Sequence, residues 1–142
     1  MREAKLVKIV VASLSKQFGQ ACYINKNHGS QFTAAGRPDL EGSIYGRHFG
    51  FELKSGSRFS VKQVKHLRNI AFAGGVGGGI VFHEGCVYYL PLNYVVNYSL
   101  RHKDSWIKIP FDRYLDFTFL YRYLNLFYMY YHGEHNDILH QS

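Results

Sequence analysis

The 142-residue chain has few of the features that mark disulfide-stabilised or membrane proteins. Its two cysteines, Cys22 and Cys86, lie in apolar stretches and match neither a disulfide framework nor zinc-ligand spacing. No run of 18 apolar residues is present, and charges interrupt even the most apolar segment, 111–131. No signal peptide is recognisable. These absences predict an intracellular, cytoplasmic protein without a membrane partner. The two cysteines are expected to be small buried residues with free thiols in a reducing compartment.

Acidic residues are scarce in the first half of the chain. Residues 1–70 contain 12 Lys and Arg against 4 Asp and Glu, a net charge of +8, whereas residues 71–142 contain 5 against 6, a net charge of −1. Positive charge concentrated in one part of a chain is typical of proteins that bind a polyanion. Many soluble proteins are basic without binding nucleic acid, so the charge alone does not decide the function.

The segment 36–54, GRPDLEGSIYGRHFGFELK, is the most informative part of the sequence. In a β-strand, alternate side chains share a face. Glu52 and Lys54 would therefore face a cleft, while Phe51 and Leu53 would enter a core. An acid, a gap long enough for a hairpin, and an acid and a lysine two residues apart are suited to binding a divalent metal and a phosphodiester.

The register of this hairpin determines whether its acids meet. A two-residue turn at Tyr45-Gly46 would place Asp39 directly opposite Glu52, with Cβ atoms about 4.5–5.5 Å apart. Tyr45 is a poor first residue for a primed turn. A bulge at Gly42 is the alternative, and it would shift the register by one residue.

Two carboxylates at this separation repel each other unless a cation lies between them. Mg²⁺ suits such a site, with Mn²⁺ as a substitute, because it prefers oxygen ligands and is usually held by one or two carboxylates plus waters and phosphate. The predicted ligands are Asp39, Glu52 and the backbone carbonyl of Leu53. Lys54 can orient a metal-activated water or offset charge on the phosphorane. The ordinary alternative is a polar hairpin with exposed charges and no site.

Basic and polar side chains near the hairpin and the following helix are candidate DNA contacts, since cations and amides commonly bind phosphates. The predicted set is Arg37, Arg47, Lys26, Asn27, Ser30, Arg58, Lys62 and Lys65.

Hydrophobic periodicity predicts the element order α-β-β-β-α-β-β-α-β-α, an α/β fold with a mixed central sheet flanked by helices. Gly74–Gly79 reads as a helix terminus and flexible connector, because it follows a helix and lacks the Lys-Ser/Thr of a P-loop. The expected helices are Glu3–Phe18, one beginning at Ser60, 91–98, and a last one in the aromatic segment 111–131. The expected strands are 21–24, the two of the hairpin, 80–82, 86–90 and 106–109, and residues 25–36 are expected to be a loop.

The pattern GRPDLEG…GFELKSG…KQVKHL resembles the PD-(D/E)xK nuclease superfamily, and within it the RecU- and Hjc-type Holliday-junction resolvases and the VRR-NUC nucleases. The resemblance implies a restriction-endonuclease-like core with Asp39, Glu52, Lys54 and Gln63 as catalytic residues. It also matches Glu3 to a further metal-site glutamate. Gln63 has a second interpretation, because its spacing from Ser60 is that of a helix capping box.

What the resemblance implies about activity is a Mg²⁺-dependent endonuclease, most specifically a homodimeric resolvase that nicks a four-way DNA junction symmetrically. The chain lacks the long insertion that forms the RecU stalk, so a RecU-like grip on the junction is not expected. The alternatives are a VRR-NUC-like, restriction or repair nuclease on another DNA substrate, and a non-catalytic DNA-binding module.

We expect one nuclease domain over residues 1–131 and a polar tail over 132–142, whose histidines form no metal site. The aromatic segment 111–131 could pack against the sheet, form a dimer interface, or stack on unpaired bases. Packing is the default expectation, and base stacking is disfavoured because this half of the chain is not basic.

Overall fold

The computed structural model describes residues 1–27, 37–56 and 58–126. These ranges form one six-stranded sheet with helices on both faces, which confirms the predicted α/β class and mixed sheet. The element order agrees with the predicted one, with 3-10 turns added at 19–21 and 100–105. The helices are α1 (Glu3–Phe18), α2 (Val61–Phe72), α3 (Leu92–Val96) and α4 (Leu120–Tyr123), and the strands are β1 (Cys22–Lys26), β2 (Leu40–Ile44), β3 (Arg47–Ser55), β4 (Val76–His83), β5 (Cys86–Pro91) and β6 (Ile107–Lys108).

The strands lie in sequence order across the sheet. All neighbouring pairs are antiparallel except β3 and β4, which run parallel. A parallel pair needs a crossover connection, and α2 provides it. Since α2 starts just after the end of β3, its first turns lie at the edge of the sheet where Lys54 and Ser55 end that strand.

The β2–β3 hairpin has the predicted turn and register. Leu40 pairs with Phe51 and Ile44 with Arg47, so one further step places Asp39 opposite Glu52. The turn at Tyr45-Gly46 has φ values of +50° and +78°, as a type I′ turn requires at both central residues. The Tyr45 side chain packs against the main core, and this burial helps an unfavourable turn residue to adopt positive φ.

The two faces of the sheet carry different cores. Phe51 and Leu53 are fully buried in the larger core under α1. The smaller core, under α2 and α3, includes Phe59, Leu67 and Val95. The predicted alternation along β3 is therefore correct, because its apolar pair enters a core and its even-numbered residues face α2.

The glycine run at 74–79 was predicted wrongly as a connector. Only the first part of the run terminates α2, and there Gly74 has a φ of +91°. Gly77, Gly78 and Gly79 are buried residues of β4. A Cβ at Gly77 would lie 2.6 Å from the Leu67 carbonyl oxygen, and one at Gly79 would lie 2.6 Å from the Phe59 ring. These strand glycines allow α2 and the Phe59 ring to approach the sheet closely.

Several predicted boundaries need smaller corrections. β1 continues to Lys26, so residues 25 and 26 are strand rather than loop. The 91–98 helix is shorter, Leu92–Val96, and the 106–109 strand is limited to Ile107–Lys108. Within the described ranges, no helix is long and apolar enough to cross a membrane.

The aromatic segment packs into the fold as far as it is described. Phe117, Leu120 and Leu124 are buried in the larger core, and Phe119 contacts the Tyr89 ring at 5.0 Å between centroids. This agrees with the default expectation of packing. Residues 127–131 and the predicted tail at 132–142 lie outside the described residues, as does Ser30.

Replacing Gly42 with alanine should destabilise the fold by about 3 kcal/mol, because overpacking against rigid neighbours is costly. Gly42 pairs regularly with Ile24 and Phe49, so no bulge is present, and an added Cβ would lie 1.8 Å from the Tyr23 carbonyl oxygen. Chemical denaturation provides the measurement.

The matched control for this prediction is Gly46→Asn. Gly46 has φ +78° with nothing within 4 Å of a built Cβ, and Asn tolerates this conformation. This substitution should lower the free energy of unfolding by no more than about 1 kcal/mol. Equal destabilisation by the two variants would contradict the close approach of β1 to Gly42.

Candidate active site

Asp39 is held in place by both of its neighbouring strands. The Asn27 side-chain amide donates to the Pro38 carbonyl at 2.9 Å, and the Asn27 backbone N–H donates to the Asp39 carbonyl at 2.7 Å. The Asp39 carboxylate accepts from the Leu53 backbone N–H at 2.9 Å. The carboxylate is therefore directed at the end of β3, where Glu52 and Lys54 lie.

Glu52 is buried under α2, with only 1% of its surface exposed. The Gln63 side-chain amide donates to Glu52 Oε2 at 3.3 Å, and His66 Nδ1 lies 2.8 Å from Glu52 Oε1. The predicted cleft at this position is thus more closed than the sequence indicated, because the first turns of α2 cover it.

Gln63 forms the predicted capping box and also contacts Glu52, whereas its catalytic role stays a prediction. Its backbone N–H donates to Ser60 Oγ at 3.1 Å, and its side-chain oxygen accepts from the Ser60 N–H at 2.9 Å, which completes a capping box. The nitrogen of the same side-chain amide reaches Glu52. The start of α2 is therefore connected to the buried carboxyl group.

Burial and the neighbouring Asp39 charge raise the pKa of Glu52 from 4.5 to about 9. Burial, with the positive charge of Lys62, lowers the pKa of His66. The two side chains lie within ion-pair distance, 2.8 Å, but both pKa directions favour the neutral forms. Without a cation the contact therefore joins a protonated Glu52 to a neutral His66.

Sequence reasoning did not identify His66. It is 8% exposed, and its Nε2 atom has no hydrogen-bond partner among the described residues. The available signal was the spacing from Gln63, since helix residues three apart lie on one face. A glutamine predicted near the carboxylates therefore also placed a histidine beside them.

Lys54 and Glu3 lie near the end of β3. Lys54 is half-buried and makes no ion pair with any other residue in the described part of the chain. Glu3 Oε1 accepts from the Ser55 backbone N–H at 3.4 Å. Glu3 is thus attached to the same strand end, and its participation in metal binding stays a prediction.

The predicted DNA contacts lie in different parts of the fold. Arg58, Lys62 and Lys65 are exposed at or just before the first turns of α2, the helix that covers Glu52. Arg47 is five residues along β3 from Glu52, roughly 17 Å at about 3.4 Å per residue, so it is remote from the reacting phosphate.

The remaining candidates surround Asp39 or β1. Arg37 is exposed and lies 3.6 Å from Glu41 in an ion pair, and Lys26 is exposed on the edge strand. Asn27 is engaged with the Pro38-Asp39 segment, so its observed role is to position Asp39. Ser30 lies outside the described residues.

The donor atoms suit Mg²⁺, which keeps several water ligands, better than a metal that is enclosed entirely by protein side chains. Among the described residues, no group of three or more His, Cys, Asp or Glu side chains is arranged to hold a metal. Two adjacent carboxylates with the Leu53 carbonyl leave coordination positions for water and phosphate, as Mg²⁺ requires. Burial, and after it the Asp39 charge, raise the pKa of Glu52, and a bound divalent cation would favour its ionised form.

No protein-family model matches the chain, and no curated protein matches it. Among solved structures, it is similar to Hjc from Archaeoglobus fulgidus, a Holliday junction resolvase from an archaeal hyperthermophile. The TM-score is 0.46 at 10% sequence identity, over 77% of this chain and 84% of that chain. A likeness of this degree assigns neither a family nor an activity, so the function must be inferred from the site itself.

The raised pKa of Glu52 makes the stability of the metal-free protein depend on pH. Below pH 4.5 both the folded and unfolded states hold the proton; between 4.5 and about 9 only the folded state keeps it. Protonation of Glu52 therefore makes its full contribution to the free energy of unfolding below pH 4.5, and this contribution is lost as the pH rises towards 9. The stability of the Glu52→Gln variant should not decrease in this way as the pH rises.

In EDTA, Glu52→Gln should be close to the wild type in stability at pH 5, and more stable by on the order of 3 kcal/mol at pH 8. Urea denaturation at a series of pH values measures the difference. A constant difference between the two proteins across this range would show that Glu52 titrates normally.

Proposed function

We propose that the protein is a divalent-metal-dependent endodeoxyribonuclease that hydrolyses a DNA phosphodiester. The observation that carries the proposal is the Asp39–Glu52 pair, with Lys54 on the same face of β3. A purely structural role for this pair is disfavoured, because a buried carboxyl with a strongly raised pKa destabilises the fold at neutral pH.

Asp39, Glu52 and the Leu53 carbonyl would hold Mg²⁺. When bound, the metal supplies Lewis-acid polarisation of the phosphate and lowers the pKa of a coordinated water. Lys54, which makes no ion pair with another described residue, would orient the attacking water and offset negative charge developing on the phosphate oxygens. Gln63 and His66 would hold the Glu52 carboxylate in position.

The positive charge near the site supports DNA as the substrate. Arg58, Lys62 and Lys65 are exposed at the start of α2, the helix that covers Glu52, where they would bind phosphates that flank the cleavage point. The other predicted contacts, Arg37 and Lys26, would extend this binding towards Asp39 and β1.

Within this class we propose a Holliday-junction resolvase acting as a homodimer. The motif resemblance over Asp39, Glu52, Lys54 and Gln63 supports it. A twofold dimer would present two identical sites for paired, symmetric nicks. The runner-up is the same chemistry on another DNA substrate, as in VRR-NUC-like, restriction or repair nucleases.

In Mg²⁺, Asp39→Ala and Lys54→Met should each lower the rate of DNA cleavage at least about 10³-fold, since each removes an electrostatic element of the transition state. Binding of the same DNA in EDTA should change little. Gel analysis of a labelled four-way junction beside a matched linear duplex measures both cleavage and substrate preference.

Asp112→Ala is the matched control, because it removes an exposed acid outside the site, and it should cleave like the wild type. Paired nicks in the junction alone would support the resolvase proposal. Cutting of the duplex would retain the nuclease and exclude junction specificity. Binding without cutting in any divalent metal would contradict the enzymatic proposal.

A further inference from the structure

A groove between α2 and α3 combines an apolar floor with a basic rim. Its main cavity has a volume of about 440 Å³, and Phe59, Val61 and Val95 contribute to its apolar lining. The cations are Arg58, Lys65 and Arg68. Among the described residues no acid lines the cavity, so its charge is complementary to an anion.

The groove continues towards the end of β3. A second cavity of about 310 Å³ shares Arg58 and Tyr98 with the first, and it reaches Gly56, two residues beyond Lys54. Together the two cavities form what we call the α2–α3 groove. It therefore begins next to the proposed catalytic lysine.

The same elements build the groove and the carboxylate site. Glu52 is paired with Gly79 on the adjacent strand, about 4.8 Å away, and Phe59 packs on Gly79 to form part of the groove floor. On α2, Gln63 contacts Glu52 while its neighbour Val64 lines the groove. The groove and the carboxylate site thus share α2 and Gly79, and the second cavity reaches Gly56 just after β3.

Tyr98 provides a rigid aromatic surface in this groove. Its ring stacks on Trp106 with centroids 5.4 Å apart, and it contacts Phe59 edge-on at 5.9 Å. Tyr98 lines both cavities. A side chain supported in this way can receive a stacked base without losing much conformational freedom.

We propose that the α2–α3 groove binds an unpaired nucleotide of the DNA substrate, with its base against Tyr98 and the apolar floor and its phosphates on Arg58, Lys65 and Arg68. A duplex would not match this surface, because it presents phosphates outwards and keeps its bases stacked inside. Single strands expose both groups, and basic grooves with aromatic side chains bind them. The cavity volume lies within the range of about 300–1,000 Å³ typical of small-ligand pockets.

The inference rests on the proposed nuclease function and specifies the feature of DNA that the enzyme recognises. It predicts a substrate with unpaired nucleotides beside the cleavage point, such as a flap, a gap, or a junction whose base pairs are open at the branch point. Recognition of a fully paired duplex would not require such unpaired nucleotides.

The test measures binding in EDTA, in an Asp39→Ala background that excludes cleavage, by fluorescence anisotropy. The probes are a labelled 12-nucleotide single strand and the matched 12-base-pair duplex. Val61→Asp should weaken single-strand binding about 10-fold or more, because a negative charge replaces part of the apolar lining, and duplex binding less than about threefold. Val61 is 88% exposed, so its replacement should not disturb folding.

Phe72→Asp is the matched control, since it places the same charge on an 87% exposed position of α2 that does not line the groove. Tyr98→Ala should act like Val61→Asp, and Tyr98→Phe should bind like the background protein. Equal effects of Val61→Asp and Phe72→Asp, or equal losses on single strand and duplex, would overturn the proposal.

The salt dependence of binding tests the phosphate contacts separately. Replacing both Lys65 and Arg68 with Gln should lower the slope of log K against log salt by about 1.4 for the single strand, since each lost phosphate contact removes about 0.7. The charge-matched pair Lys5→Gln and Lys8→Gln, exposed on α1 across the sheet, should leave it unchanged. An equal decrease of this slope in both double variants would contradict the binding of phosphates in the groove.

The two proposals can fail independently. If the wild type cleaves DNA in Mg²⁺ while groove variants bind single strands normally, the groove inference is wrong and the nuclease proposal stands. If no divalent metal supports cleavage while groove variants lose single-strand affinity, the nuclease proposal is wrong and the binding site stands.

Discussion

The buried contact between Glu52 and Asp39 is the interaction on which the rest of the site depends. A hairpin register brings the two carboxyl groups together, and the first turns of α2 exclude water from Glu52. The consequence is a pKa of about 9 for Glu52 in the absence of a cation. Hydrogen bonds from the Asp39 backbone and the Gln63 amide lower this pKa only in part. A cation bound between the two groups would favour the ionised form of Glu52.

The helix α2 connects the Asp39–Glu52 pair with the α2–α3 groove. Its capping residue Gln63 is bonded to Glu52, so the start of the helix cannot move without affecting the carboxyl group. Its opposite side forms one wall of the α2–α3 groove. The glycines of β4 are what allow this double use, because only a residue without a side chain leaves room for Leu67 and Phe59 against the sheet.

The parts of this account that the sequence predicted are those set by local periodicity. The bounds of α1, the Tyr45-Gly46 turn and the register of Asp39 and Glu52 follow from residue spacing. The strand glycines were misassigned because their cause is a tertiary approach of α2 to β4, which no local pattern carries. His66 was missed because its spacing of three residues from Gln63 becomes informative only when that face of α2 is placed over Glu52. The groove needed the relative positions of α2 and α3, which are fixed by packing.

The central claim is that the Asp39–Glu52 pair is a metal site whose buried carboxyl loses its proton when the cation binds. Calorimetric titration of Mn²⁺ at pH 7, in two buffers of different ionisation enthalpy, tests it most directly, because the difference in heat counts the protons released. The account predicts one site that releases about one proton, since Glu52 is protonated beforehand and ionised afterwards. It also predicts that Glu52→Gln abolishes this release. Binding without proton release, or equal release from the variant, would contradict the account.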